Sequence, residues 1–242
     1  MRGRWAHIRG VLLDKDGTIL DYARTWVPIN REVALFAAGG DRALADQLLR
    51  AGGHDPVTDH VAPGSVLAAA GMDGIARCFA EVLGARTPPD LERRIDGIFR
   101  DGGARHAVLM DGAVDVVVEL RRRGFRVGLA TNDTIGGLHA SLSRHAGVVA
   151  LFEFVAGCDS GWGSKPDPGM ALAFAHHVGV SPAACAVVGD STHDLEMAAR
   201  AGYGLKIAVL GGTGTAASLA PHADVVLAEI GALLALAALH GA

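Results

Sequence analysis

Lysine is almost missing from this chain. Only Lys15, Lys165 and Lys206 occur among 242 residues, and none lies between the first two. An excess of positive charge is missing too: 22 Lys and Arg against 26 Asp and Glu leave a formal charge of -4. With a pI near 6.2, such a surface repels a phosphate backbone, so nucleic acid is not an expected partner. Cysteine is limited to Cys78, Cys158 and Cys185, far apart and without paired or metal-like spacing. Their odd number leaves a thiol unpaired, which points to a reducing, cytoplasmic setting. Long apolar runs are lacking as well. Only Val11-Leu12-Leu13 follows Arg2, Arg4 and Arg9 before Asp14 interrupts, so no signal peptide is expected. The late run Ala232 to Leu239 falls short of the roughly 18–20 residues that cross a bilayer, and no membrane partner is expected. There is no internal repeat and no low-complexity linker.

What the chain does have is apolar mass. Half of its residues are hydrophobic, enough for a substantial core in one large or two modest domains. Short runs rich in Val, Ile and Leu, at Ile8 to Leu13, Arg126 to Ala130, Phe152 to Ala156, Cys185 to Gly189 and Leu205 to Leu210, read as buried parallel strands. Between them, Ala113 to Arg123, Gly169 to Val178 and His193 to Ala201 carry helical spacing and are stopped by Gly124, Gly179 and Gly202. This alternation predicts a doubly wound, mainly parallel α/β sheet built from residues 1–20 and 108–242. Residues 21–107 contain no convincing strand and predict an inserted all-helical unit, punctuated by Gly39-Gly40, Gly52-Gly53, Pro63-Gly64 and Pro88-Pro89. The insertion leaves from the carboxyl end of the first strand, where ligands of such sheets bind, so it is expected to act as a lid with hinges at 21–26 and 107–112. Arg121-Arg122-Arg123 reads as cations offsetting a helix dipole.

The first strand ends in Asp14-Lys15-Asp16-Gly17-Thr18, two carboxylates two residues apart. Gly17 allows a sharp turn, and the amides of Lys15 and Asp16 can meet phosphate oxygens. Taken alone this could be a polar turn. It has company: Thr131-Asn132-Asp133 follows the second strand, Lys165-Pro166-Asp167-Pro168 opens a helix, and Gly189-Asp190-Ser191-Thr192-His193-Asp194 follows the fourth strand. These four segments resemble, in order, the four motifs of the haloacid dehalogenase superfamily. LATND, SGWGSKPDPGM and VVGDSTHDLEMA are most similar to its phosphoglycolate-phosphatase-like branch, which has a Rossmann-like core and a helical cap between the first two motifs.

The resemblance implies that Asp14 attacks phosphorus and forms an aspartyl-phosphate, while Asp16 protonates the leaving oxygen and then activates water. It assigns Mg2+ to the Asp14 carboxylate, the Asp16 carbonyl and Asp190, with Asp194 bound directly or through water. Thr131, Lys165, Asn132, Lys15 and Gly17 would complete the phosphate site. For Lys15, only the backbone amide is expected to matter. The chemistry agrees: two carboxylates about 4 Å apart repel by roughly 4 kcal/mol at an effective dielectric near 20, so the cluster calls for a cation, and oxygen ligands favour magnesium over zinc.

The expected substrate is a small phosphorylated metabolite, phosphoglycolate-like or a sugar phosphate. Candidates to reach it from the cap are Ser65, in the loop that starts at His60, and Arg24, Arg77 and Arg105. Phosphonoacetaldehyde hydrolysis needs a cap lysine and is excluded. Asp16 and Asp190 argue against dehalogenation, and the missing spans against an ion pump. A sugar phosphomutase shares every core residue named, and a non-catalytic binding protein of the same fold is the third reading. Gly211-Gly212-Thr213-Gly214 reads as a plain turn, and His54, His60, His176 and His177 show no ligand spacing.

Overall fold

The computed structural model describes residues 5–145 and 147–237. Arg2, Arg4 and the end of the late apolar run at Leu239 lie outside them. Six strands form one all-parallel sheet: β1 (Gly10–Asp14), β2 (Arg126–Ala130), β3 (Phe154–Ala156), β4 (Cys185–Gly189), β5 (Leu205–Val209) and β6 (Val225–Leu227). Their order is β3-β2-β1-β4-β5-β6. The chain moves outward from β1 to β3, then crosses back to start β4 on the other side of β1. The strand order therefore reverses between β1 and β4, and the crevice beyond their carboxyl ends is where such sheets hold ligands.

Helices α1 (Tyr22–Ala37), α2 (Arg42–Ala51), α3 (Val66–Ala69), α4 (Met72–Leu83) and α5 (Leu91–His106) form the insertion. Asp21 caps α1 by accepting from the Arg24 N–H at 2.9 Å, and Asp41 caps α2 from the Ala43 and Leu44 N–H groups. Their apolar faces close on a cluster of their own that includes Ile29, Val33, Leu48, Phe79 and Ile95. The remaining helices are α6 (Ala113–Arg122), α7 (Ile135–Leu142), α8 (Gly169–His177), α9 (Thr192–Arg200), α10 (Ala216–Leu219) and α11 (Leu233–Ala237).

Every residue of β1 is buried, because a central parallel strand is covered on both faces. Val11 and Leu13 enter one cluster with Val127, Leu129 and Ile207, under α6. Leu12 enters the opposite cluster with Phe154 and Ala208, under α8 and α9. Gly128 in β2 makes the second face possible, since a Cβ there would lie 2.6 Å from the Phe174 ring.

The two crossings between sheet and insertion run side by side. Leu20 pairs antiparallel with Leu109, Asp21 N–H donates to Val108 O at 2.8 Å and Met110 N–H to Ile19 O at 2.9 Å. The insertion also rests on the sheet side through α5 and α7, where Gly103 faces Ser141.

The strands differ from expectation in their limits and number, and the fifth ends at Val209 rather than Leu210. The first strand begins at Gly10 rather than Ile8, and the third at Phe154 rather than Phe152, since periodicity marks an apolar run rather than where the ladder starts. β6 adds a strand the sequence does not announce, only three residues long with two of them half-buried. Among the described residues no helix is long and apolar enough to cross a membrane.

Candidate active site

Asp14 ends β1, and Asp190 immediately follows β4. Gly17 turns the chain away from β1 with φ 72°. A Cβ there would lie 2.6 Å from Gly212 Cα and 2.7 Å from Asp190 Cγ, so the approach of these loops requires glycine. Asp190 Oδ2 accepts the Thr213 N–H at 2.9 Å, and Gly212 packs so closely that a Cβ would meet that same oxygen at 1.8 Å. The Gly211 to Gly214 loop therefore seats Asp190 and is more than the plain turn expected.

Asp194 sits in the first turn of α9. Its Oδ2 accepts from Ser191 Oγ at 2.7 Å and Ser191 N–H at 3.2 Å in a capping box, and its Oδ1 accepts from Lys165 Nζ at 2.6 Å. Lys165 Nζ also donates to Asp14 Oδ1 at 2.5 Å. Asn132 fixes this lysine from the side: its Oδ1 accepts the Lys165 N–H at 2.7 Å, and its Nδ2 donates to the Lys165 carbonyl at 3.1 Å. Thr131 Oγ1 accepts the Asp133 N–H at 3.0 Å.

Asp14, Asp190 and Asp194 each offer a carboxylate oxygen within 4.8 Å of the others, and all three are buried, a set that can hold a metal ion. Burial raises the Asp14 pKa to about 7, helped by the charge of Asp194 and opposed by Lys165. Burial, then Asp14 and Asp194, pushes Asp190 up as well. Burial opposes the charge of Lys165, yet Asp14 and Asp194 outweigh it and raise its pKa. One ammonium thus leaves the carboxylates short of positive charge.

The cluster opens into a cavity of about 1060 Å³ between sheet and insertion, lined by Asp14, Asp16, Thr131, Lys165, Asp190 and Asp194 below and by Tyr22, Trp26, Met72, Arg93, Phe99 and Arg100 above.

The sequence pattern of the haloacid dehalogenase-like hydrolases matches residues 8–202. The chain belongs to this family. It is 33% identical over 112 residues to "Probable phosphatase IndB" of Dickeya dadantii, a match covering 46% of this chain and 48% of that protein, about half its length. It is 28% identical over 195 residues to N-acetylmuramic acid 6-phosphate phosphatase of Pseudomonas putida, covering 81% and 80%. A HAD family hydrolase of Deinococcus radiodurans, solved with bound phosphate and sodium, shares the fold at TM-score 0.68 and 24% identity, over 98% of this chain and 99% of the other.

Within this hydrolase the residues expected to reach substrate from the cap lie elsewhere. Arg24 is exposed at the start of α1. Ser65 has a buried hydroxyl and packs on Gly53 inside the insertion. Arg77 pairs with Asp73 at 3.5 Å, and Arg105 with Glu32 at 2.5 Å. Neither these four nor Lys15 lines the cavity; Arg93 and Arg100 of α5 do.

The Lys15 side chain, set aside in the sequence, is fully buried. Its Nζ donates to Asp133 Oδ2 at 2.6 Å and stands 3.4 Å from Asp16 Oδ2. Burial opposes its charge, but Asp16 and Asp133 more than offset that and raise its pKa. Lys15→Met removes a charged hydrogen bond from the interior and should cost about 1.5–3 kcal/mol of stability, read as a lower midpoint in urea at unchanged slope.

Proposed function

We propose that this hydrolase is a Mg2+-dependent phosphatase acting on a small phosphorylated metabolite through an aspartyl-phosphate on Asp14. The observation that carries this reading is the convergence of Asp14, Lys165, Asp190 and Asp194 at the strand-order reversal, facing a cavity. Phosphoryl transfer asks the protein mainly for placement and for charge stabilisation, and this cluster supplies both. Asp14, free of a capping role, attacks phosphorus. Lys165 and the Thr131 hydroxyl hold the phosphoryl oxygens, with the turn amides of Lys15 and Asp16 and the Asn132 N–H beside them, while Gly17, its own N–H bonded to Leu20 O at 2.7 Å, lets the chain turn. Asp16 serves as acid toward the leaving oxygen and as base toward water.

The donor set fits a hard ion: it is all oxygen, and its raised carboxylate pKa values mark a shortage of positive charge. Asp14, the Asp16 carbonyl and Asp190 would hold Mg2+, and Asp194, with both oxygens already engaged, would reach it through water. Bound there, the ion would neutralise charge on the transferring phosphoryl group. Residues 21–107 act as the cap over the core formed by 1–20 and 108–242.

Among the expected substrates, a cavity of about 1060 Å³ suits a sugar phosphate better than phosphoglycolate, whose leaving group is a two-carbon acid. The N-acetylmuramic acid 6-phosphate phosphatase of P. putida points the same way. Purified protein supplied with Mg2+ should release inorganic phosphate from p-nitrophenyl phosphate and, with higher kcat/KM, from sugar phosphates. Interconversion of sugar phosphates without free phosphate would replace this reading with the mutase, and no turnover with either would replace it with a binding role.

A further inference from the structure

The Asp16 carboxyl stands outside the three-carboxylate cluster and is held from two sides. From the insertion, Trp26 Nε1 donates to Oδ1 at 2.7 Å. From the core, Lys15 Nζ stands 3.4 Å from Oδ2. Both partners are themselves fixed. Lys15 is anchored on Asp133 at 2.6 Å and lies 4.9 Å from the centre of the Trp26 ring, while that ring leans on Phe99 of α5 with centres 6.1 Å apart.

An indole N–H and an ammonium can only donate, so each addresses one oxygen of Asp16 as an acceptor, and the plane of the carboxyl is set. Trp26 is the nearer of the two donors, at 2.7 Å against 3.4 Å for Lys15. Oδ1 is the oxygen held by the insertion, and Asp16 and Trp26 both line the cavity.

We propose that Trp26 and Lys15 are positioning residues that hold the Asp16 carboxyl in one orientation for proton transfer to the leaving oxygen. The inference rests on the phosphatase reading above. As Asp14 bonds to phosphorus and the bond from phosphorus to the ester oxygen breaks, the proton of the Asp16 carboxyl passes to the departing oxygen. Asp16, now a carboxylate, takes a proton from the water that cleaves the aspartyl-phosphate, which restores the acid.

Trp26→Phe keeps a ring against Lys15 and Phe99 and removes the N–H. Two esters should be compared on one preparation: p-nitrophenyl phosphate, whose leaving group needs little protonation, and glycerol phosphate, whose alkoxide needs a proton as it leaves. The ratio of kcat for the alkyl ester to kcat for the aryl ester should fall by about tenfold or more, with KM for both nearly steady. Lys15→Met should lower the same ratio. Because both rates come from the same sample, the ratio does not depend on the fraction folded. Equal losses on both esters, or none, would overturn the inference while leaving the phosphatase standing. Failure of the unmodified protein to hydrolyse either ester would overturn the phosphatase reading and this inference with it.

Discussion

Asp14→Asn should eliminate phosphate release while leaving the fold intact. The amide keeps the shape of the side chain but has no anionic oxygen to bond to phosphorus, and removing a nucleophile of this kind costs on the order of 10⁵-fold or more in turnover. Lys165 would lose one of its two carboxylate partners, yet Asp194 still holds it at 2.6 Å, so the ammonium stays in place to bind phosphate. The expected signature is a protein that binds inorganic phosphate and does not turn over. Residual activity above about 1% of the unmodified enzyme would remove Asp14 as the nucleophile.

Asp190→Asn is expected to act through the metal. In the metal-free protein, buried carboxylates resist ionisation, and Asp14 titrates near 7 rather than near 3.8. A folded state that holds its proton to higher pH than the unfolded chain loses stability as pH rises through that window. Metal-free protein should therefore become less stable between about pH 4 and pH 7, and Mg2+ should restore the loss at pH 7 and above by RT ln(1 + [L]/Kd). If Asp190 is a direct oxygen ligand as proposed, replacing it should lower Mg2+ affinity by more than about 100-fold, and the stabilisation by Mg2+ should vanish at millimolar concentration. Thermal unfolding with and without Mg2+ at pH 6 and pH 8 reads both effects. Equal Mg2+ stabilisation of the two proteins would place the ion elsewhere.

The parts of the fold that the sequence announces are those with a one-dimensional signature. Arg126 to Ala130 and Cys185 to Gly189 read as strands with their observed limits, because a strand buried on both faces is a continuous apolar run ended by its first polar residue. That same rule makes Asp14, Thr131 and Asp190 legible as strand-end residues, and the order reversal between β1 and β4 brings two of them together. What stays hidden depends on contacts between distant segments. β6 is too short to show a period. Gly212 and Thr213 look like any turn until β5 carries them alongside Asp190. For Lys15 the sequence gives weight to the backbone amide alone, because nothing local reveals that Asp133, Ser141 and Trp26 enclose its side chain. The cap side is least legible of all. Arg24, Arg77 and Arg105 are as plausible in sequence as Arg93 and Arg100, and only the seating of α5 over the core decides which of them overlook the cavity.

The pairing of Leu20 with Leu109, with its flanking hydrogen bonds, bears on how substrate enters. A single strand joining two bodies can bend and twist in every direction. Two strands bonded edge to edge form a narrow strip, soft to flexing across its thin dimension and stiff to shear and sideways bending. An insertion mounted on such a strip is expected to swing along one arc, which would bring Trp26 back to Asp16 at the same point. The accuracy of that return would come from the mounting rather than from the substrate.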